Sequence, residues 1–139
     1  MCIRVSFLRF SIELLGIHHA AIICSNYAHS KHFYTEILKL PVIDEQYRSA
    51  RDSYKLDLAL PDGSQIELFS FPDAPQRPSY PEAQGLRHLA FKVADIAKAK
   101  AYLEQHGIVV EEIRLDEITG KQFTFFADPD DLPLELYQV

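Results

Sequence analysis

Two histidines and two glutamates recur at matched places in the chain: His19 with Glu67, and His88 with Glu135. The histidines stand 69 positions apart and the glutamates 68. Glu67 lies between Ile66 and Leu68, and Glu135 between Leu134 and Leu136, so each carboxylate interrupts an apolar run. A carboxylate in such a run is costly to bury alone and needs a partner. Imidazole and carboxylate together suit a divalent transition ion such as Zn, Ni, Fe or Mn. Four protein ligands on an octahedral ion would leave two positions open for chemistry. In the competing reading the histidines are core residues and the glutamates pair with nearby Arg or Lys.

The elements that must position these four residues also occur twice. Gly16-Ile17-His18-His19 overlies Gly85-Leu86-Arg87-His88, and Asn26 falls on Asp95. Leu60 to Phe69 overlies Asp128 to Tyr137, which needs one deletion between the two anchors. In the first half the pattern predicts a strand over 17–24 with both faces buried, then a helix over 27–38 capped by Ser25 or Asn26. Val42-Ile43 begin an extended segment, residues 44–55 are polar, and strands over 56–60 and 65–71 flank a Pro61-Asp62-Gly63 turn. Four prolines at 72, 75, 78 and 81 mark an extended linker over 72–84. The second half repeats the plan. A strand over 86–93 is followed by a helix capped by Asp95 and stopped by Gly107, with extended segments at 108–110 and 112–115. Strands over 121–127 and 133–139 close it.

Each half is therefore a βαβββ unit. Such a unit has an open apolar sheet face and must pair to be stable, so the fold class is α+β with two paired modules. The expected organisation is an N-terminal extension at 1–15 and a single domain at 16–139. Module one spans 16–71, the linker 72–84 and module two 85–139. Alternation puts Glu67 on the face that carries Gln65 and Phe69, away from Ile66 and Leu68. The repeat also sorts the other histidines. His18 overlies Arg87, an outward polar position, and His29, His32 and His106 fall on helix surfaces.

With 14 basic against 20 acidic residues the formal charge is −6, which argues against nucleic acid and anionic membranes as partners. Arg4, Arg9 and Glu13 break up the apolar start of the chain, which resembles neither a signal peptide nor a span of ~20 apolar residues. Two cysteines, Cys2 and Cys24, make no disulfide framework and fit a reducing cytoplasm. Arg48, Arg51 and Lys55 form a basic cluster in this acidic chain. It reads as an anion clamp for a substrate, or as a solvated loop with Glu45 and Asp52 as counter-ions. Arg77 on the linker is a weaker candidate for the same role.

The segments HHAAIICSNYAHSKHFYTEILKLPV, SQIELFSF, GLRHLAFKVADI and FFADPDDLPLELYQV resemble the vicinal oxygen chelate superfamily across residues 16–139. Within it the chain is most similar to small bacterial glyoxalase I-like proteins. That resemblance implies an open, incompletely closed β-barrel cleft, often in a homodimer. It also implies one divalent metal ion per site on His19, Glu67, His88 and Glu135. The implied activity is a metal-dependent glyoxalase-type lyase or isomerase, similar to lactoylglutathione lyase. It would act on a small 2-oxo compound or its thiol adduct through a metal-chelated enediolate, with Glu135 or Glu67 as base. The bacterial glutathione-dependent enzymes carry an arginine four residues after the first ligand histidine and an asparagine four after the first glutamate. Ile23 and Phe71 stand there in this chain. Epimerase, dioxygenase or thiol transferase chemistry, or non-enzymatic small-molecule binding, are the alternatives.

Overall fold

A computed structural model of the chain describes residues 12–139. Residues 1–11 of the expected extension at 1–15 lie outside the described residues. Ile12, Leu14 and Leu15, its described apolar members, are exposed.

The chain folds into two four-stranded sheets that do not close into a barrel, each with a helix on one face. Module one comprises β1 (His19–Cys24), α1 (Tyr27–His32), β2 (Val42–Arg48), β3 (Ser53–Ala59) and β4 (Gln65–Ser70). Module two comprises β5 (Leu89–Val93), α2 (Ile96–Gln105), β6 (Arg114–Leu115), β7 (Gln122–Ala127) and β8 (Pro133–Gln138). The sheet orders are β1-β4-β3-β2 and β5-β8-β7-β6, so the duplication extends to topology. In both sheets the first and last strands pair in parallel, β1 with β4 and β5 with β8. The helix supplies the crossover that a parallel pairing requires.

Both helices start where the sequence puts a cap. Asn26 Oδ1 accepts from His29 N, and Asp95 Oδ1 accepts from Lys98 N, each at 3.0 Å. Past His32, α1 widens into a π-helical turn over Phe33–Ile37 that buries both Phe33 and Tyr34. Gly107, at φ 77°, ends α2 in the left-handed region as expected.

The core lies on the helix side of the sheets. Leu56, Leu58, Ile66 and Leu68 of module one join Leu134, Leu136, Ile96 and Leu103 of module two in one buried cluster. Each such side chain contributes about 1.5–3 kcal/mol of burial. Polar clips cross between the modules. Tyr34 donates to Asp128 at 2.7 Å in the buried interior, and Tyr102 donates to the Ile37 carbonyl at 2.7 Å. Ser25 N donates to Asp130 at 3.0 Å.

Three expectations about strands need correction. β1 starts at His19 rather than Ile17, and it buries one face only: Ile22 and Cys24 are buried while His19, Ala21 and Ile23 are exposed. β5 starts at Leu89, which leaves His88 just ahead of the strand. The polar stretch at 44–55 is mostly strand. β2 is an exposed edge, paired to β3 alone, where polar side chains cost nothing. No helix among the described residues is long and apolar enough to cross a membrane.

Candidate metal centre

The face of each sheet opposite the helices carries the four matched residues. On β4, Ile66 and Leu68 are buried against the helix side, and Glu67 and Phe69 take the other. On β8, Leu134 and Leu136 are buried in the same way, with Glu135 and Tyr137 opposite. Ala21 of β1 stands across from Glu67, and Ala90 of β5 across from Glu135. A methyl group there leaves room above each carboxylate.

Each module brings its histidine to its glutamate. His19 Nε2 is 3.3 Å from Glu67 Oε2, and His88 Nε2 is 2.9 Å from Glu135 Oε2. The carboxylates are largely sheltered, with side chains 15% and 12% exposed, and the histidines more open at 39% and 32%. Two ligands at right angles on an ion with bonds of about 2.1 Å stand about 3 Å apart, so both pairs have the bite that such an ion asks for. Their nitrogen and oxygen donors also suit Zn, Ni, Fe or Mn. Among the described residues no group of three or more His, Cys, Asp or Glu is placed to hold a metal ion, so the two pairs of one chain do not meet.

The pairs have different surroundings. Glu67 lies across β3 from Asp57, and Lys55 Nζ reaches both acids, at 2.7 Å from Asp57 Oδ1 and 3.9 Å from Glu67 Oε1. Glu135 lies across β7 from Phe125, whose ring meets His88 edge-on at 5.0 Å. A cleft of about 490 Å³, which His88 and Glu135 do not line, is formed by Phe125 and Pro133 together with Arg77 and Tyr80 of the linker. Arg77 is not free to clamp an anion in it. Its guanidinium ties the linker down through Ser79 Oγ at 2.7 Å and the Leu86 carbonyl at 3.1 Å.

The basic cluster expected at Arg48, Arg51 and Lys55 divides. Lys55 belongs with the acids Asp57 and Glu67, whereas Arg48 and Arg51 lie further along the same face over Phe69 and Phe71. Neither expected counter-ion serves them. Glu45 is held by Lys31 at 2.6 Å and by the Tyr27 hydroxyl, which lower its carboxyl below the usual range, and Asp52 accepts from Tyr47 at 2.5 Å. His29, His32 and His106 are exposed, as the helix surfaces require.

His18, at an outward polar position in the repeat, also bears on the first pair. Its Nδ1 lies 2.9 Å from His19 Nδ1, with the two rings edge to face. That contact at Nδ1 leaves the His19 ring oriented with its Nε2 toward Glu67. Alternation would have separated neighbours in a strand. His18 lies just before β1, and so the rule does not bind it.

Residues 16–136 match the family model described as the glyoxalase/bleomycin resistance protein/dioxygenase superfamily. Among curated proteins, the uncharacterized protein YaeR of Escherichia coli (strain K12) is 60% identical over 127 residues, covering 91% of this chain and 98% of its own. The uncharacterized protein YwkD of Bacillus subtilis (strain 168) is 59% identical over 125 residues, 90% of this chain and 98% of its own. Among solved structures, the glyoxalase family protein from Enterococcus faecalis superposes with a TM-score of 0.82 at 50% identity, covering 88% of this chain and 97% of that one.

Proposed function

The chain belongs to the glyoxalase/bleomycin resistance protein/dioxygenase superfamily, and on that premise we propose that it is a metal-dependent lyase or isomerase of glyoxalase type. Its substrate in this reading is a small 2-oxo compound or the adduct of one with a thiol. A structural neighbour, the fosfomycin resistance protein FosX from Listeria monocytogenes, is solved as a variant complexed with Mn(II) and 1S,2S-dihydroxypropylphosphonic acid.

The observation that carries the reading is the pair of matched His–Glu bites, at 3.3 and 2.9 Å, on the open faces of two related sheets. A structural role would not need both halves of a duplicated fold to keep the same two donors. Two ligands hold an ion weakly, and one chain leaves its pairs apart. We therefore pair the chains about a twofold axis: His19 and Glu67 of one copy meet His88 and Glu135 of a second. Twofold symmetry then builds two equal centres per dimer.

A divalent ion bound there would supply Lewis-acid stabilisation to the oxyanion that develops as a proton leaves the neighbouring carbon. The chain's own part is to hold the substrate, take that proton and return it. Glu135 is the better placed base. Its carboxylate pairs with His88 alone among the described residues, while Glu67 is also held by Lys55. Phe125, in register with Glu135 and with its ring against His88, is the apolar neighbour that restricts water around the reacting carbon. Glu135 would take the proton from one carbon and deliver it to the next, which completes an isomerisation with no net change in protons.

The apolar floor bears on the thiol. Ile23 pairs in register with Phe69, and Phe71 stacks on Phe69 at 5.9 Å, where a glutathione enzyme would present polar anchors. Those two anchors are therefore missing, and any charged end of a thiol partner would have to be held elsewhere on this face. We assign the protein to the cytoplasm, in keeping with the free buried thiol of Cys24.

Elemental analysis of protein purified without chelator is the first test, with about one divalent ion per chain expected on twofold symmetry. A hemithioacetal turnover assay with several thiols follows. Metal-free protein that cannot be loaded by any of the four ions would overturn the proposal.

A further inference from the structure

Among the described residues neither Arg48 nor Arg51 has a counter-ion, and both lie on the face that carries Glu67. The Arg48 guanidinium lies 5.0 Å over the Phe69 ring and 5.7 Å from that of Phe71, and Arg51 lies 4.8 Å over Phe71. Arg48 is half-buried, and its Nη2 is fixed by the buried Ser53 Oγ at 2.9 Å. Its Nε donor, sealed from solvent, has no acceptor among the described residues. Both acids within reach in sequence, Glu45 and Asp52, are engaged elsewhere.

Module two provides an internal control. Arg114 lies over its own aromatic pair, 5.0 Å from Phe123 and 5.7 Å from Phe125. That arginine brings its counter-ion with it, Glu111 at 3.0 Å. The duplicated fold thus carries two stacked arginine sites, one neutralised and one left open. A half-buried cation with no partner and an unsatisfied donor is unfavourable unless an acceptor arrives.

We infer that Arg48 and Arg51 form the subsite for a carboxylate or phosphate group of the substrate. This rests on the proposed function only in taking Glu67 as part of the reaction centre. Phe69 is two residues beyond Glu67 on β4, one side-chain step of about 7 Å along the strand. The subsite therefore selects a short 2-oxo compound or thiol adduct that carries an anionic group beyond its reacting oxygens. Phe69 and Phe71 stiffen the two guanidinium planes, so that little side-chain freedom remains to be lost on binding.

The test is calorimetric titration of inorganic phosphate into the metal-loaded protein, beside R48M, R51M and, as control, R114M. Metal content and mass in solution are measured on the same samples. Phosphate affinity should fall about tenfold or more in R48M and R51M and stay at the wild-type level in R114M, with metal content unchanged in all. Arg51 is exposed on a short turn, so R51M keeps the test decisive if R48M fails to fold. Phosphate affinity equal in wild type and R51M overturns the assignment. So does an R51M protein that loses its partner subunit while still binding phosphate normally, since the cation would then be meeting a second copy. Arginine-dependent phosphate binding in a protein that takes no metal would overturn the proposed reaction and leave the anion subsite standing.

Discussion

Glu135 meets His88 at 2.9 Å beside the edge of an aromatic ring, whereas Glu67 meets His19 at 3.3 Å beside an ammonium group. Equivalent residues of a duplicated fold thus sit in unlike fields. E135Q and E67Q should both weaken metal affinity, by about 100-fold or more, because each removes a charged donor. At saturating metal the two should part. E135Q abolishes proton transfer and E67Q retains a measurable rate. Solvent-proton exchange at the substrate carbon, followed by NMR, reads the difference. Equal residual rates would remove the assignment of Glu135 as the base.

The twofold dimer makes a sharper demand. Neither the double variant H19A/E67A nor H88A/E135A can build a complete centre from two identical copies. A mixed dimer of the two rebuilds one of its two centres from intact halves, and the other is doubly broken. Unfolding and refolding the two variants together should restore both metal and turnover, to about a quarter of wild type when chains pair at random. Ligands drawn from one chain would give no recovery.

Tyr34 and Asp128 form the buried bond between modules, at 2.7 Å. Burial pushes the Asp128 carboxyl up from its ordinary value, and the Tyr34 hydroxyl with the backbone N–H groups of Leu132 and Asp130 pulls it back. Tyr34→Phe removes one donor to a charged acceptor and should cost about 1.5–3 kcal/mol in urea denaturation. An unchanged midpoint would show that the clip carries no stability.

The Cys24 thiol is pushed up to about 11, chiefly by burial and then by the Asp130 carboxylate. Between its ordinary value near 9 and about 11 the unfolded chain gives up this proton and the folded chain keeps it. Folding stability therefore falls as pH rises through that window. Cys24→Ala should flatten this part of the stability profile measured against wild type. Alkylation of Cys24 by iodoacetamide at pH 8, read by peptide mass mapping, should be slow in the native protein and fast in urea.

Much of this architecture is legible in the residues themselves. The repeat predicts the topology because each half must bury the same apolar face. Alternation puts Glu67 and Glu135 opposite Ile66 and Leu134, and Asn26 and Asp95 announce the helices. Other features depend on geometry that no local pattern encodes. β2 is a strand without an apolar rhythm because an edge exposed on both faces imposes none. Lys55 parts from Arg48 because register sets it beside Asp57 and Glu67, whereas Arg48 lies over Phe69. The separation of the two His–Glu pairs is a property of how modules pack, and four matched positions read the same whether one chain or two must supply them.

The distance kept between those pairs makes ion capture and subunit association a single equilibrium on the proposed dimer. Neither half-centre holds the ion firmly alone, so each bound ion pulls the copies together and each association event tightens the ion. Dilution should then shed metal, and added metal should lower the concentration at which the protein assembles. Such a protein is switched off by its own scarcity, and apparent ion affinities compared at different protein concentrations would disagree for that reason alone.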